Sequence, residues 1–201
     1  MVDMKIVGIS CSPRKGKSTK YALDVCLQAV KETAPDVETM LIELSDMKMN
    51  GCLACGKCMK VLECSQEDDF IKMIPILSDP ELAGLVVATP VYFGSMTSQC
   101  KAFLDRCVMF RRNGFLLRNK VGGVIAVGGV RNGGQELTIQ AVQAAMLVQD
   151  MVIVSEGQPT SHYGATLWSG HPDGIEKDAF GLETARNLGK RLAEVAVKMH
   201  R

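Results

Sequence analysis

Short, wholly apolar runs recur along the chain, each followed by a polar or glycine-rich turn and then by apolar residues at helical spacing. Ile6-Val7-Gly8-Ile9 is the first such run. It gives way to the polar stretch Ser10–Thr19, after which Ala22, Leu23, Cys26, Ala29 and Val30 repeat on one helix face as far as Pro35. Residues 37–44, 85–89, 121–127 and 151–154 read as four further strands. Between them, Phe70, Ile71, Ile74 and Leu77 predict a helix that Pro75 should kink or stop early. Cys100, Phe103, Leu104 and Cys107 fall at i, i+3, i+4 and i+7 of another. Leu137, Ala141, Ala144, Ala145 and Val148 are expected to form the core stripe of a third, and a loop then runs through Trp168. Ala185, Leu188, Leu192, Val195 and Met199 give a closing amphipathic helix. Five strands that are apolar throughout and alternate with helices call for an α/β fold, a doubly wound parallel sheet covered on both faces. One domain over residues 1–201 is expected, with a cysteine-rich insertion at about 50–66.

Composition narrows the partners more than the fold. The 23 basic and 22 acidic residues leave a formal charge of +1, which removes the electrostatic argument for nucleic acid or an anionic membrane surface. No apolar run approaches the roughly 20 residues of a membrane span. Met1-Val2-Asp3-Met4-Lys5 leads straight into strand pattern, without the flank and apolar stretch of a secretory signal, so a cytoplasmic protein is expected. In a reducing compartment, eight cysteines point to metal or redox use rather than to a disulfide framework.

Ligands of a doubly wound sheet lie beyond the carboxyl ends of its strands. Three loops leave strands at that edge: Ser10–Thr19, Thr89–Ser95 and Gly128–Gly134. The first opens a helix and carries Ser10, Ser12, Ser18 and Thr19 with Arg14 and Lys17, the amides, hydroxyls and cationic fork of a phosphate cradle. It misses the nucleoside triphosphate loop because Cys11 stands where the first glycine belongs. In the second loop Pro90 fixes the chain while Tyr92 and Phe93 offer aromatic surface; in the third, glycines let backbone approach a flat ring. A monophosphate at the first loop with a planar heterocycle between the others describes flavin mononucleotide, FMN.

Cys52, Cys55, Cys58 and Cys64 stand at C-x2-C-x2-C-x5-C spacing among small and polar residues that form no buried stripe. Structural zinc usually takes two C-x-x-C pairs well apart in sequence. Three thiols at successive two-residue gaps suit the loop that wraps a 4Fe-4S cluster, with Cys64 as the fourth ligand. Cys26, Cys100 and Cys107 lie on apolar helix faces and read as core thiols. Lys101, Asp105 and Arg106 read as a solvated or subunit-contact charge cluster, and His162, His171 and His200 as surface or loop residues.

The three loops, taken as Ser10–Thr19, Thr89–Gly94 and Gly129–Glu136, resemble the flavin-contact loops of the flavodoxin-like NADPH-dependent FMN reductases. The cysteine spacing further resembles the compact motif of the iron-sulfur flavoproteins of methanogens and other anaerobes. The resemblance implies a flavodoxin-like five-stranded sheet in the order 2-1-3-4-5. It implies that Ser10, Ser12, Arg14, Ser18 and Thr19 hold the phosphate, Lys17 lying in the same loop. Pro90, Val91, Tyr92, Phe93, Gly94 and Ser95 would line the isoalloxazine, and Gly129, Val130, Arg131, Gly133 and Gly134 would close over its edge. A flavin takes electrons singly or in pairs and a cluster one at a time, so a protein with both is expected to be an electron-transfer flavoprotein. No catalytic acid or base is assigned. The resemblance implies a low-potential donor such as ferredoxin, a small-molecule acceptor and a homodimer or homotetramer. Tyr163 and Trp168 are candidates to cover a site. Two alternatives stay open here: an NAD(P)H-dependent FMN or quinone reductase whose cysteines bind zinc or nothing, and an iron-sulfur redox sensor without turnover.

Overall fold

The computed structural model describes residues 4–200; Met1–Asp3, part of the reading of the chain's start, and Arg201 lie outside the described residues. Four long or medium strands form the centre: β1 (Met4–Ser10), β2 (Val37–Glu43), β3 (Leu82–Pro90) and β4 (Val121–Gly128). A short β5 (Val152–Ile153) and β6 (Ala165–Trp168) complete the sheet. All pairings are parallel, in the order β2-β1-β3-β4-β5, with β6 also on β4. The fifth strand position is thus shared: Val121 and Gly122 pair with β5, and Ile125–Gly128 with β6. The expected order 2-1-3-4-5 is observed, while the stretch expected as loop through Trp168 contains a strand. Its burial pattern alternates over only four residues, too short a run to stand out in sequence.

Each strand divides its side chains between two cores. Ile6, Val86 and Ile125 face α1 (Ser18–Thr33) and α6 (Ala179–His200); Val7, Val87 and Val124 face the opposite layer. That layer holds α2 (Met73–Leu77), α3 (Ser98–Arg106), α4 (Val108–Arg112) and α5 (Gln135–Leu147), with Phe70, Phe103 and Phe110 packed together at its centre. Helices α1 and α6 meet at Gly189, where a Cβ would lie 2.1 Å from the carbonyl oxygen of Cys26. The helix expected around Pro75 is split: a 3-10 turn, Asp69–Lys72, precedes α2, and Pro75 lies in the first turn of α2, where its missing N–H breaks no helix hydrogen bond. On α5 the buried face is Thr138, Ile139, Val142 and Met146, whereas Leu137, Ala144 and Val148 are exposed. Two apolar stripes of helical period overlap on this helix, and packing against β4 selects the other one.

Candidate functional site

Register carries the strand ends to one edge: Ser10 lies beside Ala88, Pro90 beside Val127 and Gly128 beside Trp168. The three predicted loops leave from there. Thr97 Oγ1 donates to Cys11 O at 2.8 Å and Cys11 N–H to Ala88 O at 2.7 Å, tying the first loop to the second. Ser10 and Thr19 are buried, Ser12 Oγ accepts from Arg14 N–H at 3.1 Å, and Arg14 and Lys17 are exposed. Lys17 is the N-cap of α1 and supplies no capping hydrogen bond, and no acidic residue occupies the first turn. The leading amides of a helix 16 residues long therefore face the loop without a carboxylate to satisfy them. Ser10 Oγ is buried without a partner. An open helix N-terminus, a buried orphan hydroxyl and a mobile-length guanidinium on Arg14 fit a phosphate monoester.

At the second loop, Val91 N–H donates to Val127 O, and Tyr92 and Ser95 close a tight turn by mutual backbone hydrogen bonds. Its tip, Phe93 and Gly94, has φ of +51° and +73°. A left-handed phenylalanine is unusual, and this one stands fully in solvent, with Tyr92 half exposed beside it. The third loop is closed by Gln135, whose Oε1 accepts from Gly133 N–H and whose Nε2 donates to Val130 O. Gly134 has φ +93° and packs on Gly94, its Cβ position only 3.3 Å from the Gly94 Cα, so any side chain would separate the loops. Trp168 Nε1 donates to Gly129 O at 3.0 Å, fixing the loop to β6. The Arg131 guanidinium is paired with the buried Asp178 and lies near the Trp168 and Phe180 rings. Tyr163 is half exposed, and Gln143 donates to its carbonyl.

The cysteine segment is held by contacts from a distance. The carboxylates of Asp69 and Asp68 accept from Lys48 N–H at 2.7 Å and Asn50 N–H at 2.9 Å, fixing its start. Left-handed Ala54 and Gly56 fold it back, and Asn113 Nδ2 donates to Cys58 O at 2.9 Å. Cys52, Cys55, Cys58 and Cys64 line one largely apolar cavity. Among the described residues, no three histidines, cysteines or carboxylates converge closely enough for a single ion. Four thiols lining one cavity are a donor set that suits an iron-sulfur cluster or a zinc ion.

The thiols have cationic and polar partners. Arg106 Nη2 donates to Cys64 Sγ at 3.2 Å and Arg112 Nη1 to Cys58 Sγ at 3.3 Å. Cys55 Sγ lies 3.0 Å from Ser65 Oγ; this hydrogen bond and the Lys57 backbone N–H hold the Cys55 thiol below the usual range. Cys11, Cys26, Cys100 and Cys107 are buried, and burial pushes Cys26 up to about 12 and Cys11 and Cys107 upward.

Arg106 corrects the expectation of a solvated charge cluster. Its side chain is 1% exposed, paired with Asp68, which is 6% exposed, and stacked 4.3 Å above the Phe70 ring. Only Lys101 and Asp105 form the exposed pair. Arg112, Asp68 and Ser65 are likewise site residues that sequence reasoning missed. The available signal was Arg106 in helical phase with Cys100 and Phe103, a charge on an apolar stripe. His162, expected as a loop residue, donates its backbone N–H to the wholly buried Glu156.

The chain is a flavin-dependent oxidoreductase with a flavodoxin-like parallel sheet and three loops leaving its carboxyl edge. The family described as NADPH-dependent FMN reductase matches residues 4–166. Relatives include an iron-sulfur flavoprotein of Methanocaldococcus jannaschii, 42% identical over 96% of this chain and 97% of the relative. Another is an iron-sulfur flavoprotein of Methanosarcina thermophila, 38% identical over 96% and 95%. The chain belongs to the NADPH-dependent FMN reductase family and, within it, to the iron-sulfur flavoproteins. Solved structures share the fold. They include a flavodoxin, WrbA-like protein from Agrobacterium tumefaciens (19% identity, TM-score 0.64, 97% of this chain and 98% of that one). An oxidoreductase from Corynebacterium diphtheriae is similar (22%, 0.65, 98% and 99%).

Proposed function

We propose that the chain is an electron-transfer flavoprotein that binds FMN and a 4Fe-4S cluster and passes electrons from a low-potential donor such as ferredoxin to a small-molecule acceptor. The arrangement of Cys52, Cys55, Cys58 and Cys64 carries this reading: four thiols share one cavity, and two of them accept from arginine N–H groups. The names of the relatives support it. A bound cluster supplies single electrons, and a bound flavin exchanges them singly or in pairs.

The chain's own contribution is positioning and charge. Ser10, Ser12, Arg14, Lys17, Ser18 and Thr19 receive the phosphate at the open end of α1. Pro90 to Ser95 and Gly129 to Gly134 bracket the ring, where backbone amides offset negative charge as it develops. Arg106 and Arg112 offset charge on the thiolates. No side chain is assigned as a catalytic acid or base. A cytoplasmic homodimer or homotetramer belongs to the same reading, supported by the exposed Leu137, Leu147 and Val148 on the outer face of α5.

The test is a visible spectrum of protein purified without oxygen, with iron, sulfide and flavin assays. Four irons and four sulfides per polypeptide beside one FMN are expected. Flavin without iron overturns the cluster and favours the NAD(P)H-dependent reductase, a reading that the family's description supports. Iron and flavin with no electron uptake from any donor favours the sensor.

A further inference from the structure

Arg106 is an expensive residue to bury, and the protein provides it with more than an ion-pair partner. A buried pair is often no more stabilising than apolar side chains of the same volume. Asp68 alone would neutralise the charge. Yet the guanidinium spans two different neighbours: Nη1 meets the Asp68 carboxylate and, at 3.4 Å, Asn50 O, while Nη2 meets Cys64 Sγ at 3.2 Å. The carboxylate is anchored on its other side by Asn50 N–H at 2.9 Å and Phe70 N–H at 3.2 Å. Phe70 forms the floor under the guanidinium. The pair therefore has a fixed direction, with its positive end against a thiol of the cavity and its negative end held away by backbone amides.

We propose that the Arg106–Asp68 pair is an oriented charge dipole that raises the reduction potential of the group held by the four cysteines, with Arg112 as a weaker, solvent-exposed second donor. The proposal rests on the cluster reading above. Adding an electron to a site of four thiolates adds negative charge, and a cation fixed at one ligand favours that state. The low-polarity wall of the cavity and the burial of both partners keep the field from being screened. Arg106 acts through Cys64 and is a positioning residue, not a catalytic one.

The two ends of a dipole have opposite effects when removed. Arg106→Gln deletes the positive end and should make reduction at least tenfold less favourable, a downward shift of 59 mV for one electron. Arg106→Lys, which keeps the charge, should recover part of it. Asp68→Asn deletes the negative end and should shift the potential upward. Arg112→Gln should lower it by less than Arg106→Gln. The measurement is a redox titration followed by electron paramagnetic resonance on the anaerobically purified, cluster-loaded variants, with iron counted per flavin. The flavin potential serves as an internal reference. Same-sign shifts in Arg106→Gln and Asp68→Asn, or unshifted potentials at full iron content, overturn the proposal. If Arg106→Gln fails to fold or to load iron, Asp68→Asn and Arg112→Gln decide: unchanged potentials in both overturn it. Wild-type protein devoid of iron overturns the cluster reading instead, so the two failures are told apart.

Discussion

Loop Ser10–Thr19 leaves a strand and enters a helix, and it is held at Cys11 by Ala88 of β3 and Thr97 at the start of α3, and at Gly16 by Glu43 at the end of β2. Segment Asn50–Cys64 also leaves the region of a strand, but no strand or long helix fixes it; the side chains of Asp68, Arg106 and Asn113 do. The first is a product of the fold: any chain forming β1 and α1 in this register presents open amides there. The second has no regular structure beyond the single turn Lys57–Met59 and depends on a few side-chain contacts. The flavin edge should therefore tolerate substitution gradually, and the cysteine segment abruptly.

The largest effect tests that contrast directly. Cys58→Ser should abolish the iron signal while FMN content, read from the flavin absorbance, stays at one per chain. Full iron content in this variant removes Cys58 from the ligand set. Next in size, Arg106→Met leaves Asp68 buried without its cation, a change costing about 3–5 kcal/mol. Urea unfolding of the metal-free protein should show that loss. A stability equal to wild type would mean that the segment is held locally after all. Arg14→Ala removes one charged hydrogen-bond donor from the phosphate loop, about 1.5–3 kcal/mol, or roughly tenfold to a hundredfold in FMN affinity. Fluorescence titration with FMN measures it, and iron content should not change.

Smaller effects follow from acid and from the third loop. Burial alone would raise the Asp68 pKa, but the hydrogen bonds from Arg106 and the Asn50 N–H outweigh it and hold the carboxyl below its usual range. Because the folded pKa is depressed, the unfolded chain binds more protons, and the contribution of Asp68 is full above about pH 3.9. It is lost as pH falls through the lower folded value. Acid unfolding below about pH 3.9 should accordingly be less steep for Asp68→Asn than for wild type. Trp168→Phe keeps an aromatic ring but deletes the Nε1 hydrogen bond to Gly129 O and should cost about 1 kcal/mol. Thermal unfolding reads this, and a neutral result would mean that Gln135 alone shapes the third loop.

Several features were legible before any coordinates. The strands are apolar throughout because both of their faces are buried, and a period or a run of that kind is visible in a few consecutive residues. The three loops were legible because they follow strands. The cysteines were legible because their spacing is local. The buried face of α5 was misread because Leu137, Ala144 and Val148 satisfy helical period as well as Ile139, Val142 and Met146 do. Only contact with β4 distinguishes the two stripes.

What the sequence alone determined, then, is the doubly wound sheet, the three loops at its carboxyl edge and the presence of four closely spaced thiols. Only the tertiary structure decided that these thiols share one cavity, and that Arg106 turns inward to Asp68 and Cys64 while Lys101 and Asp105 remain outside. Local spacing defines which residues can lie on one face. Which partner a buried charge finds depends on helix α3 docking under a segment 42 residues distant, and no local pattern encodes that approach.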